Sequence, residues 1–470
     1  MSYLKTKNII SFSIVFLFLF VSCEKDDETG YEPLIAENGE AFSGGDTTVF
    51  DVSENAFGFQ APNLKGDDAL FFFTGNSLFN QNWVTAPAST TARDGLGPYF
   101  NAKSCSSCHF KDGRGRAPDY DGEINHGLLL RLSVSGTQST GANNTEPTYG
   151  GQLQDQSVLD ANIEGGFKVN YETTTVAYAD GTTRNLRVPS YELVDLSYGP
   201  IDSAVEISPR VANQMIGLGL LEAIPESTLL SLADEDDVDG NGISGKPNYV
   251  WDIESQSTKI GRFGWKANQP NLRQQVAGAF SGDMGITSSL FPDENCPTGV
   301  NCDDFANGGS PEIIDENLDK VALYSSTLAV PGRRDVDDQN ILQGKALFNA
   351  IECVACHVPK LETGSHPIPA LANQTIRPYT DLLLHDMGAG LADNSNDFNA
   401  TGTEWRTPPL WGIGLIETVN GHSNLLHDGR ARNIEEAILW HGGEALNSKN
   451  AFMNLNSNDR EKILNFIKSL

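Results

Sequence analysis

Phe-Asn-Ala-Lys-Ser-Cys-Ser-Ser-Cys-His at Phe100–His109 and Phe-Asn-Ala-Ile-Glu-Cys-Val-Ala-Cys-His at Phe348–His357 are two near-copies of one segment. Each ends in Cys-x-x-Cys-His, the order of residues that attaches a c-type haem. Two thiols add to the porphyrin vinyl groups, and the adjoining His reaches the iron from the proximal side. With 7 Cys and 8 His in 470 residues, chance supplies far fewer than one such motif. The chain therefore reads as a duplicated haem-binding unit with two covalently bound c-type haems. One is expected on Cys105, Cys108 and His109, the other on Cys353, Cys356 and His357. A zinc site built from both Cys pairs is the poorer reading, because each pair is followed by a His that zinc would leave unexplained.

The rest of the cysteines follow from the compartment. Lys5 and Lys7 precede an apolar run, Ile9–Val21, that is too short for a membrane span, so residues 1–22 read as an export signal. The run ends Phe-Val-Ser-Cys at Cys23 and resembles a bacterial lipobox, although Phe20 stands where Leu is usual. In that reading Cys23 is lipidated and anchors the protein to the outer membrane of a bacterial cell envelope, facing the periplasm or the exterior. An ordinary signal peptide cut nearby is the other reading. Residues 23–45 start with Glu24-Lys-Asp-Asp-Glu28 and lack the apolar content to bury anything, so they read as a flexible acidic tether. Cys296 and Cys302 remain, and an oxidising compartment would pair them as a short local disulfide.

The formal net charge is −30, and loss of residues 1–22 removes two Lys and no acid, giving about −32. Such a surface excludes nucleic acid as a partner. It suits either the steering of a basic electron-transfer partner or plain solubility.

The pattern along the chain predicts a mainly α fold of two cytochrome c-like haem domains, at 46–335 and 336–470. A helix at Asn340–Asn349 leads straight into Cys353. A last helix at Asp459–Leu470, capped by Ser457 or Asn458, presents Ile463, Leu464, Ile467 and Leu470 at helical spacing. In the N-terminal half Gly75-Asn-Ser-Leu-Phe echoes Gly344-Lys-Ala-Leu-Phe, with a loop at Thr85–Gly97 before the haem motif. Between the motifs lies a long insertion, mostly loop and helix. It carries one small β-ribbon at Phe167–Tyr191 around Asp180-Gly181, and helices at Pro209–Ala223 and Pro225–Ala233. Asp237-Val-Asp-Gly-Asn-Gly242 has the oxygen spacing of the front of a calcium loop, but its twelfth position is Asn248, not Glu. Calcium and an Asx-rich turn both fit it.

Several further segments give the chain a family resemblance. They are Gly217-Leu-Gly-Leu-Leu-Glu-Ala-Ile-Pro225, Gly261-Arg-Phe-Gly-Trp-Lys-Ala267, Tyr379–Gly388, Trp405-Arg-Thr-Pro-Pro-Leu-Trp411, Leu426-His-Asp-Gly-Arg-Ala431 and Glu435–Gly443. With the haem motifs they resemble the di-haem oxidoreductases, peroxidase-like proteins once named for thiol oxidation, within the wider superfamily of bacterial di-haem cytochrome c peroxidases. The resemblance covers nearly all of Gly75–Leu470. In that superfamily the sixth ligand of the C-terminal haem lies four residues past the Ala of a Leu-Glu-Glu-Ala helix opening. Counting from Ala437 lands on His441, otherwise a helix-end residue before Gly442-Gly443. Met387 is the runner-up ligand.

By the same analogy the N-terminal haem is the peroxidatic one. His126 sits near where those peroxidases carry a displaceable distal His, and a loop histidine is the plainer reading. Glu222, an acid inside an apolar run, is the candidate proton carrier, or a helix-end Glu near solvent. Arg406 and Arg430 are candidate propionate partners. Trp265, Trp411 and Trp440 are candidate electron relays, or core. The resemblance implies reduction of hydrogen peroxide at the N-terminal haem, with electrons from a small redox protein or cytochrome entering at the C-terminal haem. The rivals are a non-catalytic electron carrier, oxidative modification of a protein or polymer, and thiol oxidation, for which no free, activated cysteine pair is evident.

Overall fold

The computed structural model describes Met1, residues 34–120, Glu123 and residues 127–470. Apart from Met1, the expected export signal at 1–22, together with Cys23 and His126, lies outside the described residues. Among those described, no helix is long and apolar enough to cross a membrane.

The sequence repeat has a structural counterpart. Helix α1 (Asp67–Asn80) buries Phe72, Gly75, Leu78 and Phe79 against a helix at Asp315–Thr327. Later in the chain Gln339–Ala350 packs in the same way on Ser457–Ser469. Glycine makes both crossings close. A Cβ on Gly75 would collide with the carbonyl oxygen of Lys320, and one on Gly344 with that of Lys462. Four residues on, Phe79 and Phe348 lean on the two motif histidines, at 6.1 Å from His109 and 6.2 Å from His357 between ring centroids. The closing helix starts at Ser457 with Asn456 as its cap, one to two residues earlier than the sequence indicates.

Outside these helix pairs the chain is not mainly α. Helix accounts for 28% of the described residues and strand for 19%, the strands forming many small sheets. Part of the excess strand comes from pairings distant in sequence. Strand β1 (Leu128–Thr137) pairs antiparallel with a strand at Glu206–Val211, where the sequence predicts a helix from Pro209. That strand lies at a sheet edge, where a proline without an N–H is tolerated. The helical part of the Pro209–Ala223 segment shrinks to Leu218–Glu222, while Glu226–Leu232 is helical close to where the sequence places it.

The small ribbon is also larger than its signal. Strands β2 (Gly166–Ala177) and β3 (Thr183–Val194) pair over their full twelve-residue length. The hairpin is a strap that buries Val169, Tyr178 and Leu186 in the core. Its tip packs Tyr178 near Phe452, takes an ion pair from Arg460 to Asp180 (2.7 Å), and bonds Glu435 through Tyr178 and Arg184. Elsewhere Cys296 and Cys302 are bonded to each other, in a loop near the strand at Tyr99–Phe100.

Candidate functional site

Both motifs open into one continuous cavity of about 950 Å³, at the upper end of the range for single-ligand pockets. Cys105, Cys108, His109, Cys353, Cys356, His357, Met387 and His441 all line it.

The histidines sort by what their ring nitrogens already do. His109 Nδ1 donates to the Asn213 carbonyl at 2.6 Å, His357 Nδ1 to Tyr379 at 3.0 Å, and His441 Nδ1 to Ala437 at 2.7 Å. In each case the proton is fixed on Nδ1 and Nε2 is left bare. A carbonyl partner on Nδ1 is what orients a metal-binding imidazole and makes it more basic. Burial lowers the basicity of all three and holds His357 at about 4, so each is a neutral imidazole at ordinary pH. A positive charge on His441 would lower the basicity of His357 further.

Other histidines are already committed. His422 bonds Arg114 and Asn424 through its two nitrogens. His385 sits between Asp381 (2.8 Å) and Glu444 (2.7 Å), and these carboxylates keep it protonated despite its burial.

The sequence candidates fare unequally. His441 and Met387 both line the cavity, but only His441 has the oriented ring just described. Glu222 does not line it. Its carboxylate accepts from the Leu272 N–H, capping a helix (Leu272–Met284), and lies 3.8 Å from His366. Two acids line the cavity near the N-terminal motif, Asp155 and Asp283; Asp155 accepts from Asn101 and has its pKa raised by burial. Of the two arginines, Arg406 lines the cavity, whereas Arg430 spends its donors on Asp428 and the Gly390 carbonyl. Asn248 is turned inward, donating to Lys266 and Asp397 carbonyls, and does not complete a loop around Asp234, Asp237 and Asp239.

Sequence reasoning missed Arg114 and Asp155, and singled out the segment of His427 without the ring it stacks on. Arg114 lines the cavity, holds the carbonyls of Asn424 and Leu426, and covers the Trp265 ring. His427, buried, stacks on Trp405 with 3.7 Å between centroids. The repeated His-Asp pair, at His385 and His427, was the signal available.

Burial also raises the cysteine thiols, to about 12 for Cys105, Cys108 and Cys353. Reactive thiols need the opposite shift, so these are poor redox nucleophiles. Two oriented histidine-cysteine sets in one cavity call for two bound groups, not for dithiol chemistry.

A family model described as "Di-haem oxidoreductase, putative peroxidase" matches residues 38–470. The chain belongs to this di-haem oxidoreductase family. No curated protein matches it. The bare Nε2 atoms of His109, His357 and His441 and the shared cavity fit the haem groups in the family's description. When bound, haem would supply the redox chemistry, and the cavity residues of this di-haem oxidoreductase would hold it.

Proposed function

We propose that the protein is a di-haem c-type peroxidase. Covalent attachment would use Cys105 and Cys108 with His109 as ligand at one site, and Cys353 and Cys356 with His357 at the other. The carrying observation is the asymmetry of the cavity. The C-terminal motif has His441 as an oriented partner, whereas no histidine with the same orientation accompanies His109 among the described residues. One site therefore serves to receive electrons from a small redox protein or cytochrome, and the other to admit hydrogen peroxide. Asp155 takes the proton-carrying role that the sequence offers to Glu222, because it lines the cavity and holds a proton more readily than an exposed carboxylate. A lipid on Cys23 would hold this body at the outer membrane.

The test is peroxide turnover by the purified protein with a reduced cytochrome or artificial donor, alongside a haem count and an electron paramagnetic resonance spectrum. Two haems per chain, one high-spin ferric signal and turnover support the reading. Two low-spin haems that bind neither azide nor cyanide would favour the plain electron carrier.

A further inference from the structure

The two motifs are joined by an unbroken run of contacts through the cavity wall. At the N-terminal motif, His109 Nδ1 donates to the Asn213 carbonyl at 2.6 Å. Two residues back, the Val211 N–H donates to the His427 carbonyl at 2.7 Å. The His427 ring lies on Trp405 at 3.7 Å with only 10° between planes. Trp405 in turn is the cross-strand partner of His385, and directly opposed side chains of an antiparallel pair are neighbours. His385 Nδ1 finally lies 3.5 Å from Cys356 Sγ in the C-terminal motif.

We propose that electrons cross between the two haem sites through the stacked Trp405–His427 pair. The proposal rests on the two-haem reading above. Peroxide takes up two electrons and two protons to give two waters. The electrons come singly from a reduced one-electron donor at the C-terminal site, so each turnover oxidises the donor twice and uses the route twice.

The stack suits this task because it is rigid. Trp405 is buried, its indole N–H donates to the Leu391 carbonyl at 2.9 Å, and the Lys266 ammonium sits 4.4 Å from the ring centroid. That ammonium is itself fixed by Asp393, Ser395 and Thr401 oxygens at 2.7–2.9 Å. The tryptophans singled out by sequence are less well placed. Trp411 and Trp440 do not line the cavity. Trp265 lines it and bonds the Val211 carbonyl, but stacks on Arg114 and not on a ring leading to the other motif.

The experiment uses the full chain with both haems, without peroxide. A flash-reduced flavin injects one electron, and its redistribution between the haems is followed optically. Trp405→Leu should slow redistribution at least tenfold, with Trp440→Phe within twofold of wild type. His427→Leu, which removes the other half of the stack, should slow it similarly and covers the case in which Trp405→Leu loads haem poorly. Midpoint potentials measured on each variant separate a broken route from a changed driving force. A wild-type rate in His427→Leu at unchanged potentials, or a tenfold loss in Trp440→Phe, would overturn the proposal. A protein that redistributes the electron normally but turns over no peroxide would refute the peroxidase reading alone.

Discussion

Gly344 meets Lys462 where two helices cross, so closely that a side-chain carbon on the glycine would run into the lysine carbonyl oxygen. Gly75 stands in the same relation to Lys320. The duplication visible as Gly-x-x-Leu-Phe is thus a duplication of a helix crossing. Gly75→Ala and Gly344→Ala should each cost about 3 kcal/mol, the upper part of the usual range for overpacking, because backbone and not a side chain must move. Denaturant unfolding would measure this, and a change below about 0.5 kcal/mol would show that the crossing tolerates more room than the structure allows.

His441 carries a prediction about ligand access. If it closes the C-terminal site, His441→Ala should raise the azide or cyanide bound per chain from one to two, without loss of the covalent haem count. An unchanged stoichiometry would return attention to Met387.

Lys266 and Asp393 form an ion pair with both side chains fully buried. Removing one partner strands the other, so Lys266→Met should destabilise by roughly 3–5 kcal/mol. Lys266→Met/Asp393→Asn should recover part of that loss, since the remaining group is uncharged. Equal losses in the single and double variants would mean that the charge pairing with Asp393 is not what the lysine contributes.

Glu164 gives a pH dependence whose sign can be stated. It is buried, and burial raises its pKa from 4.5 to about 8. Between those values the folded chain keeps a proton that the unfolded chain releases, so stability from this group falls as pH rises from about 4.5 to about 8. Glu164→Gln removes that slope. Relative to wild type, the variant should gain a few kcal/mol at most between pH 5 and pH 8. Parallel unfolding curves at both pH values would contradict the assignment.

The haem motifs and the helices flanking the C-terminal one were legible because each depends on residues close in sequence. Gly344 and Phe348 belong to the helix that leads into Cys353, so a local period reveals them. The strand at Glu206–Val211 was not legible. Its partner β1 lies some seventy residues earlier in the chain, and without that partner its apolar residues fit a helix equally well.

The sequence by itself determined the two Cys-x-x-Cys-His orders that the proposed covalent attachment requires, since a run of five adjoining residues depends on no packing. The tertiary structure decided which histidines keep a nitrogen free. His109, His357 and His441 each have one nitrogen fixed by a carbonyl and one left bare, whereas the rings of His385 and His422 are already engaged. It also put Asp155 in the cavity and Glu222 outside, and stacked His427 on Trp405. Hydrogen bonds and stacking depend on which distant residues arrive beside a ring, and that is fixed only when the chain has folded.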